Sequence, residues 1–202
     1  MDYIYIYISV VCILFLIAIV MYRLSAPTRV SSPANIPKVI HQTYKHKDIP
    51  PIVRERWMSL NPEYTYRLYD DADCYEMIHT YYGPTHADFF KNHIKDGPIK
   101  SDFWRVCMLY QFGGVYADID ILPKVPRREF LDPTSTLYTC ISDKRIDRDN
   151  LNPHFIATIP KNPLIRKCIE VYMNEKRHKP YDYWEYSIVG IIASVLRNAG
   201  VT

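Results

Sequence analysis

The chain has 202 residues, 48% of them apolar and 23% charged, and a formal net charge of +3. This composition suits a single domain that buries a core and excludes a low-complexity or disordered chain. With so small a charge and no Lys/Arg run, there is no electrostatic footprint for nucleic acid. The five cysteines (Cys12, Cys74, Cys107, Cys140 and Cys168) are dispersed without a C-x-x-C pair. Such spacing argues against a disulfide framework and against a structural zinc site.

Residues Ile4 to Tyr22 carry no charge and are dominated by Ile, Val, Leu, Tyr and Phe. As a helix they would span roughly 28 Å, close to the hydrocarbon thickness of a bilayer. Tyr3, Tyr5, Tyr7 and Tyr22 fall where an interfacial aromatic belt belongs. The stretch lacks a basic n-region and a small-x-small cleavage site, so residues 1–23 are expected to be a transmembrane anchor rather than a cleaved signal. Arg23, Arg29 and Lys38 follow it, which by the positive-inside rule would leave the C-terminal domain in the cytosol. A Golgi- or ER-type lumenal placement is the competing orientation. Residues 24–35, with Pro27, Ser31, Ser32 and Pro33, read as a short extended stem.

From Lys38 onward short apolar runs alternate with helical stretches, the mark of an α/β sheet. Lys38 to Thr43 reads as a first strand, and Pro50-Pro51 opens a helix that continues through Trp57 and ends at Asn61-Pro62. Tyr64 to Tyr69 alternates as a second strand, and Asp70-Asp71 caps a helix from Ala72 to His79. Ser101 is the expected N-cap of a helix running to Phe112, with Gly113-Gly114 supplying positive φ at its end. A short strand, Val115 to Ala117, follows. Leu137 to Ile141 and Phe155 to Ile159 read as two further strands. Pro163 to Lys176 and Trp184 to Asn198 read as closing helices, and residues 142–150 as a charged surface loop.

The most informative stretch is Ile99 to Asp120. Its third strand delivers Asp118 and Asp120 to the C-terminal edge of the sheet, where open α/β sheets bind ligands. If that segment stays extended, alternation puts both carboxylates on one side and Ile119 on the other. Two such carboxylates make a hard oxygen site for Mn²⁺ or Mg²⁺ that leaves positions open for phosphate oxygens. On the preceding helix, Asp102 and Arg105 at i and i+3 share one face.

Ser101-Asp102-x-x-Arg105 followed by Gly113-Gly114-x-Tyr116-x-Asp118-x-Asp120 resembles the signature of the sugar-binding DXD glycosyltransferases, glycosyltransferase family 32. That family includes fungal Golgi mannosyltransferases, and the glucosyltransferase domains of clostridial toxins share the motif. Ile36-Pro37-Lys38-Val39-Ile40-His41-Gln42-Thr43-Tyr44-Lys45 is similar to the family's first strand, with Tyr44 where Trp is usual. Asn61-Pro62-x-Tyr64-x-Tyr66-x-Leu68-Tyr69-Asp70 resembles the second. The resemblance implies a GT-A (Rossmann-like) α/β domain over residues 36–202. It also implies retaining transfer of a hexose from a UDP- or GDP-linked donor to a glycan, glycolipid or protein acceptor. By the same resemblance Asp120 ligates the metal and Asp118 contacts the metal shell and the ribose or sugar. Asp102 and Arg105 would hold donor-sugar hydroxyls, Tyr116 would lie beside the nucleotide, and His41, Gln42, Thr43 and Tyr44 would line the base pocket.

Other readings stay open at this level. Asp102 could serve the helix N-terminal dipole, with Arg105 as its ion partner. Tyr116 could be core, and Trp57, Trp104 and Trp184 are read as packing residues. A phosphatase of the aspartate-nucleophile type also ends a strand with Asp-x-Asp, but wants a Thr soon afterwards, where this chain has Ile121-Leu122-Pro123. A non-catalytic donor-binding relative is the third possibility. Val189-Gly190-Ile191 stands where the family often has Thr-Gly-Pro, and its members usually continue beyond the point of Thr202, which leaves three readings open: a domain cut short at its C-terminus, a site completed by a partner or by water, or a lost activity.

Overall fold

The computed structural model describes residues 35–141, 151–174 and 186–200. The expected anchor at 1–23, most of the stem, the loop 142–150 and Trp184 lie outside the described residues. In chain order the elements are β1 (Val39–Thr43), α1 (Pro51–Leu60), β2 (Thr65–Tyr69), α2 (Asp71–Tyr82) and α3 (Pro84–Asp88). A π-helical turn, Phe89–His93, leads to α4 (Gly97–Phe112) and β3 (Gly114–Ala117). A 3₁₀ turn (Arg127–Glu129), β4 (Leu137–Ile141), β5 (Leu151–Thr158), α5 (Pro163–Tyr172) and α6 (Ile188–Asn198) follow among the described residues.

The five strands form one mixed sheet in the order β2-β1-β3-β5-β4. β2, β1 and β3 run parallel, while β5 is antiparallel to both β3 and β4. Alternation along each strand sends side chains to two different cores. Tyr116 and Ile156 join Phe103, Trp104, Met108, Ile165 and Ile192 in the larger one, beneath α2, α4, α5 and α6. Val115, Ala117, Phe155 and Ala157 join Ile40 and Trp57 in the smaller one, beneath α1. Trp57 and Trp104 are fully buried packing residues, as expected. Each large apolar side chain so buried contributes about 1.5–3 kcal/mol.

Local chemistry accounts for the element ends. Asp70 caps α2 in a reciprocal box: its carboxylate accepts from Asp73 N at 2.9 Å, and Asp73 accepts from Asp70 N at 3.1 Å. Helix α4 departs from the expectation. It starts at Gly97 with Asp96 at its N-cap position and Pro98 in its first turn, so Ser101 is an interior residue and not the cap. Asp102 is therefore beyond the first turn, and the dipole reading of this carboxylate fails, because that field acts only on the terminal turn.

Gly113 and Gly114 end α4 and start β3 with φ of +64° and +93°. A Cβ on Gly114 would stand 2.8 Å from Val39 O and 3.1 Å from His41 Nε2, and one on Gly113 would meet Pro160 N at 2.6 Å. Both positions are closed to side chains by dihedral and by space alike. Gly114→Ala should therefore cost more than about 2 kcal/mol of stability, measured by urea unfolding of the purified chain.

Candidate functional site

A cleft of about 690 Å³ opens at the C-terminal edge of β1 and β3. The end of β1 contributes Thr43, Tyr44 and Lys45, and α4 contributes Lys100, Ser101, Asp102 and Arg105. The chain after β3 supplies Asp118, Ile119 and Asp120 above Tyr116. Asn152, Pro153 and His154 come from β5, and Ser187, Ile188 and Val189 from the start of α6.

The carboxylate pair is not on an extended segment. β3 stops at Ala117, and Asp118 to Ile121 form a turn closed by Ile121 N donating to Asp118 O at 3.0 Å. Ile119 consequently lines the same cleft as the two acids, contrary to the expected alternation. The turn is fixed from outside: Asp118 N donates to His154 O at 2.8 Å, and Gln42 Nε2 donates to Asp118 O at 2.9 Å. Tyr66 OH in turn donates to Gln42 Oε1 at 2.7 Å.

Beneath the turn lies a buried ionic cluster. Arg105 Nη2 meets Asp102 Oδ1 at 2.7 Å and Asp118 Oδ1 at 3.1 Å, and Nη1 donates to Pro153 O at 2.9 Å. Its guanidinium carbon sits 4.2 Å from the centre of the Tyr116 ring. Tyr116 OH donates to Asp118 Oδ1 at 2.7 Å and receives Ser101 Oγ at 3.0 Å. The second Asp102 oxygen accepts from Ile188 N, the first residue of α6, at 3.0 Å. Asp102, Arg105 and Tyr116 are 6%, 5% and 1% exposed.

Burial works against the charge on Arg105, but Tyr116, Asp102, Asp118 and Tyr172 outweigh it and hold the guanidinium firmly protonated. Burial raises Asp102 above the usual carboxylate range, opposed by Arg105 and the Ile188 N–H. Burial likewise raises the Tyr116 phenol, so its hydroxyl remains a donor to Asp118.

The structure brings Thr43, Tyr44, Asp102, Arg105, Tyr116, Asp118 and Asp120 to one cleft, and does not bring His41 or Gln42 there. His41 is 2% exposed, with Nδ1 3.1 Å from Tyr69 OH, and Gln42 is fully buried as the clamp on the turn. A base contact by either does not fit their burial. Motif reading gave Lys45 and Lys100 no role, set His154 aside because a lone histidine is more often structural, and took Ser101 as a cap and not as the link between Arg105 and Tyr116. The interval Ser101 to Arg105, i to i+4 on one helix face, could have revealed it.

Asp118 and Asp120 offer hard oxygen donors, and Asp120 is exposed, with no hydrogen bond or ion pair among the described residues. No group of three or more metal-ligating side chains occurs among the described residues. The pair therefore fits Mn²⁺ or Mg²⁺ as part of a shell that substrate oxygens and water would complete.

The α/β sheet with its carboxylate pair at the parallel strands' C-terminal edge is similar in fold to a solved glycosyltransferase. The solved structure of the PaToxG glycosyltransferase is similar with a TM-score of 0.63 at 16% identity, covering 82% of this chain and 69% of that one. Residues 52–136 match the family described as the glycosyltransferase sugar-binding region containing the DXD motif. Among characterised relatives, the Saccharomyces cerevisiae mannosyl phosphorylinositol ceramide synthase SUR1 is 32% identical over 83% of this chain and 41% of its own length. The synthase CSH1 of the same yeast is 31% identical over 73% of this chain and 38% of its own. The chain thus spans about two fifths of the length of these relatives.

Two outcomes follow from this packing. Arg105→Ala leaves Asp102 buried without its counter-ion and should lower unfolding stability by about 3–5 kcal/mol in denaturant titration. His41 is held down to about 3 by burial, with Arg67 adding repulsion, against an ordinary value of 6.5. Between those values the unfolded chain binds a proton on His41 that the folded chain does not. Stability then falls as pH drops, by up to about 1.4 kcal/mol per pH unit. His41→Gln should flatten that part of the melting-temperature profile relative to the parent.

Proposed function

We propose that this protein is a hexosyltransferase, by its relatives a mannosyltransferase, moving a sugar from a nucleotide-sugar to an acceptor hydroxyl. The observation that carries this reading is the turn holding Asp118 and Asp120 in the cleft beside Arg105, inside a region that matches the DXD family. The names of the relatives point to an inositol-phosphate-bearing ceramide as acceptor. Membrane attachment through residues 1–23 belongs to the same proposal. Among the described residues no helix is long and apolar enough to cross a membrane.

Around the turn, Asp102, Asp118 and Asp120 set three carboxylates against the guanidinium of Arg105, so this part of the floor is net negative, while Lys45 and Lys100 add positive charge to the cleft lining. A nucleoside diphosphate is repelled by such a floor unless a divalent cation lies between them. Asp120 and Asp118 would hold that cation, whose chemistry is to neutralise the charge that develops on a departing diphosphate. Asp102 and Arg105, each locked on the other, present a rigid polar wall for the donor sugar's hydroxyls, so little ordering cost attends their use. Thr43 and Tyr44 at the mouth are the β1 positions able to meet the base, Tyr44 by its half-exposed ring. The retaining course is implied by the family resemblance.

Asp120→Asn removes one metal-ligand charge from an exposed side chain, so the fold should be unaffected within about 0.5 kcal/mol. Mn²⁺-dependent binding of GDP-mannose, UDP-glucose or UDP-galactose should weaken at least tenfold, read as loss of the donor-induced melting shift. Unchanged donor affinity in that variant would overturn the reading. Donor binding with neither transfer nor donor hydrolysis would mark a non-catalytic binder.

A further inference from the structure

Helix α4 presents two neighbouring strips to the cleft. Ser101 and Arg105, one turn apart, face Tyr116 and the carboxylate turn. Lys100 and Trp104, also one turn apart, form the other strip. Trp104 packs on Tyr69 with ring centres 4.9 Å apart, and Tyr69 O accepts from Thr43 Oγ and from Tyr44 N, each at 3.0 Å. Those contacts set the Lys100 strip beside the end of β1, where Lys45 follows Tyr44 in the cleft lining.

The charges differ between the two strips. Arg105 is surrounded by the acids of the turn, whereas neither Lys45 nor Lys100 has an ion pair among the described residues. Each lysine rests on an aromatic ring instead. Lys100 Nζ stands 5.5 Å from the centre of the buried Phe90 ring, and Lys45 Nζ 5.8 Å from that of Tyr44. Asp70 and Asp73 are taken by Lys47, at 3.8 and 2.6 Å. Asp71 is the acid that lines the cleft on this side, and it stands in the first turn of α2, where the helix dipole favours it. Two cations against one acid leave this wall positive.

A second, independent observation points to an occupant. The Trp104 indole belongs to the cleft lining, and its Nε1–H is buried with no hydrogen-bond partner. An indole N–H can only donate, and a buried donor calls for an acceptor. The chain supplies none, so the missing partner is an oxygen from outside it. Two ammonium groups and an orphaned N–H along one wall suit an oxygen-rich anion. A phosphodiester has that character, with one free oxygen for the lysines and another for the indole.

We propose that Lys45, Lys100 and the Trp104 indole form a metal-independent phosphate subsite that holds the acceptor by its phosphodiester. The division of charge along α4 then has a purpose. The acids at the turn reach a diphosphate only through a cation, whereas the lysines meet a phosphate directly. These side chains would select a phosphate-bearing acceptor over a neutral one. Assigning the phosphate to an acceptor rests on the transferase reading above, but its binding is measurable without donor, metal or turnover.

The full chain in non-ionic detergent is titrated in EDTA with myo-inositol 1-phosphate at fixed ionic strength, with uncharged myo-inositol as control. A saturable rise in melting temperature is expected with the phosphate and none with the control. Lys45→Gln with Lys100→Gln should weaken this binding about tenfold, and Lys100→Arg should keep it within about threefold. Trp104→Phe keeps a ring and removes the donor, and should weaken it about threefold in a chain of unchanged circular dichroism. Mn²⁺-dependent affinity for GDP-mannose should change less than about twofold in the double lysine variant. No metal-free binding by the parent chain overturns the proposal, as does equal binding by the double variant. A loss of donor affinity as large as the loss of inositol phosphate affinity overturns it too, and assigns the lysines to the donor's diphosphate. Lysine-dependent phosphate binding in a chain that neither binds donor nor transfers sugar would keep the subsite and remove only the transferase reading.

Discussion

The buried guanidinium of Arg105 is the interaction on which the site depends. From one planar group it binds Asp102 on its own helix, Asp118 on the turn after β3 and the Pro153 carbonyl on β5, while stacking on Tyr116. Three separate elements are thereby set relative to one another at atomic precision. A lysine could not do this, because a point charge lacks the planar fork that reaches several acceptors at once. Taking this charge out of water is costly, and only the enclosing carboxylates and ring make it tolerable.

Asp102 extends the same cluster to α6 through the Ile188 N–H. The carboxylate that neutralises Arg105 also accepts from a helix N-terminus, where negative charge is favoured. Packing of α6 is thus tied to the electrostatics of the cleft. Gln42 performs the corresponding task from β1, where an amide donor meets the turn carbonyl and a neighbouring phenol fixes the amide's orientation. The turn that carries Asp118 and Asp120 is therefore positioned by neutral hydrogen bonds from one side and by an ionic network from the other.

Much of the fold was legible from pattern. The strands Val39–Thr43, Thr65–Tyr69 and Leu137–Ile141 lie where alternation placed them, and Asp70 and Gly113 mark helix ends as their chemistry requires. Helix α4 was misjudged at its start because Ser101 looks like a cap, whereas Gly97-Pro98 begins the helix one turn earlier. Ser101 serves tertiary structure instead, bridging toward Tyr116. The extended reading of Asp118 to Asp120 failed for a similar reason: β3 has a partner only as far as Ala117, which faces Phe155, and beyond that the chain closes on itself.

The sequence alone determined the chemistry available: two acids two positions apart, an acid and an arginine three apart on a helix, and a glycine pair able to take positive φ at a helix end. Those are local relations, fixed by covalent spacing and by backbone sterics. Tertiary structure decided which groups face the cleft and which hold it. His41 and Gln42 lie next to Thr43 and Tyr44 in sequence yet are buried, while Lys100 and His154, far from the carboxylates in the chain, line the cleft with them. The reason is that burial and charge pairing depend on what the sheet and helices bring alongside, and long-range contact leaves no periodic trace in the order of residues.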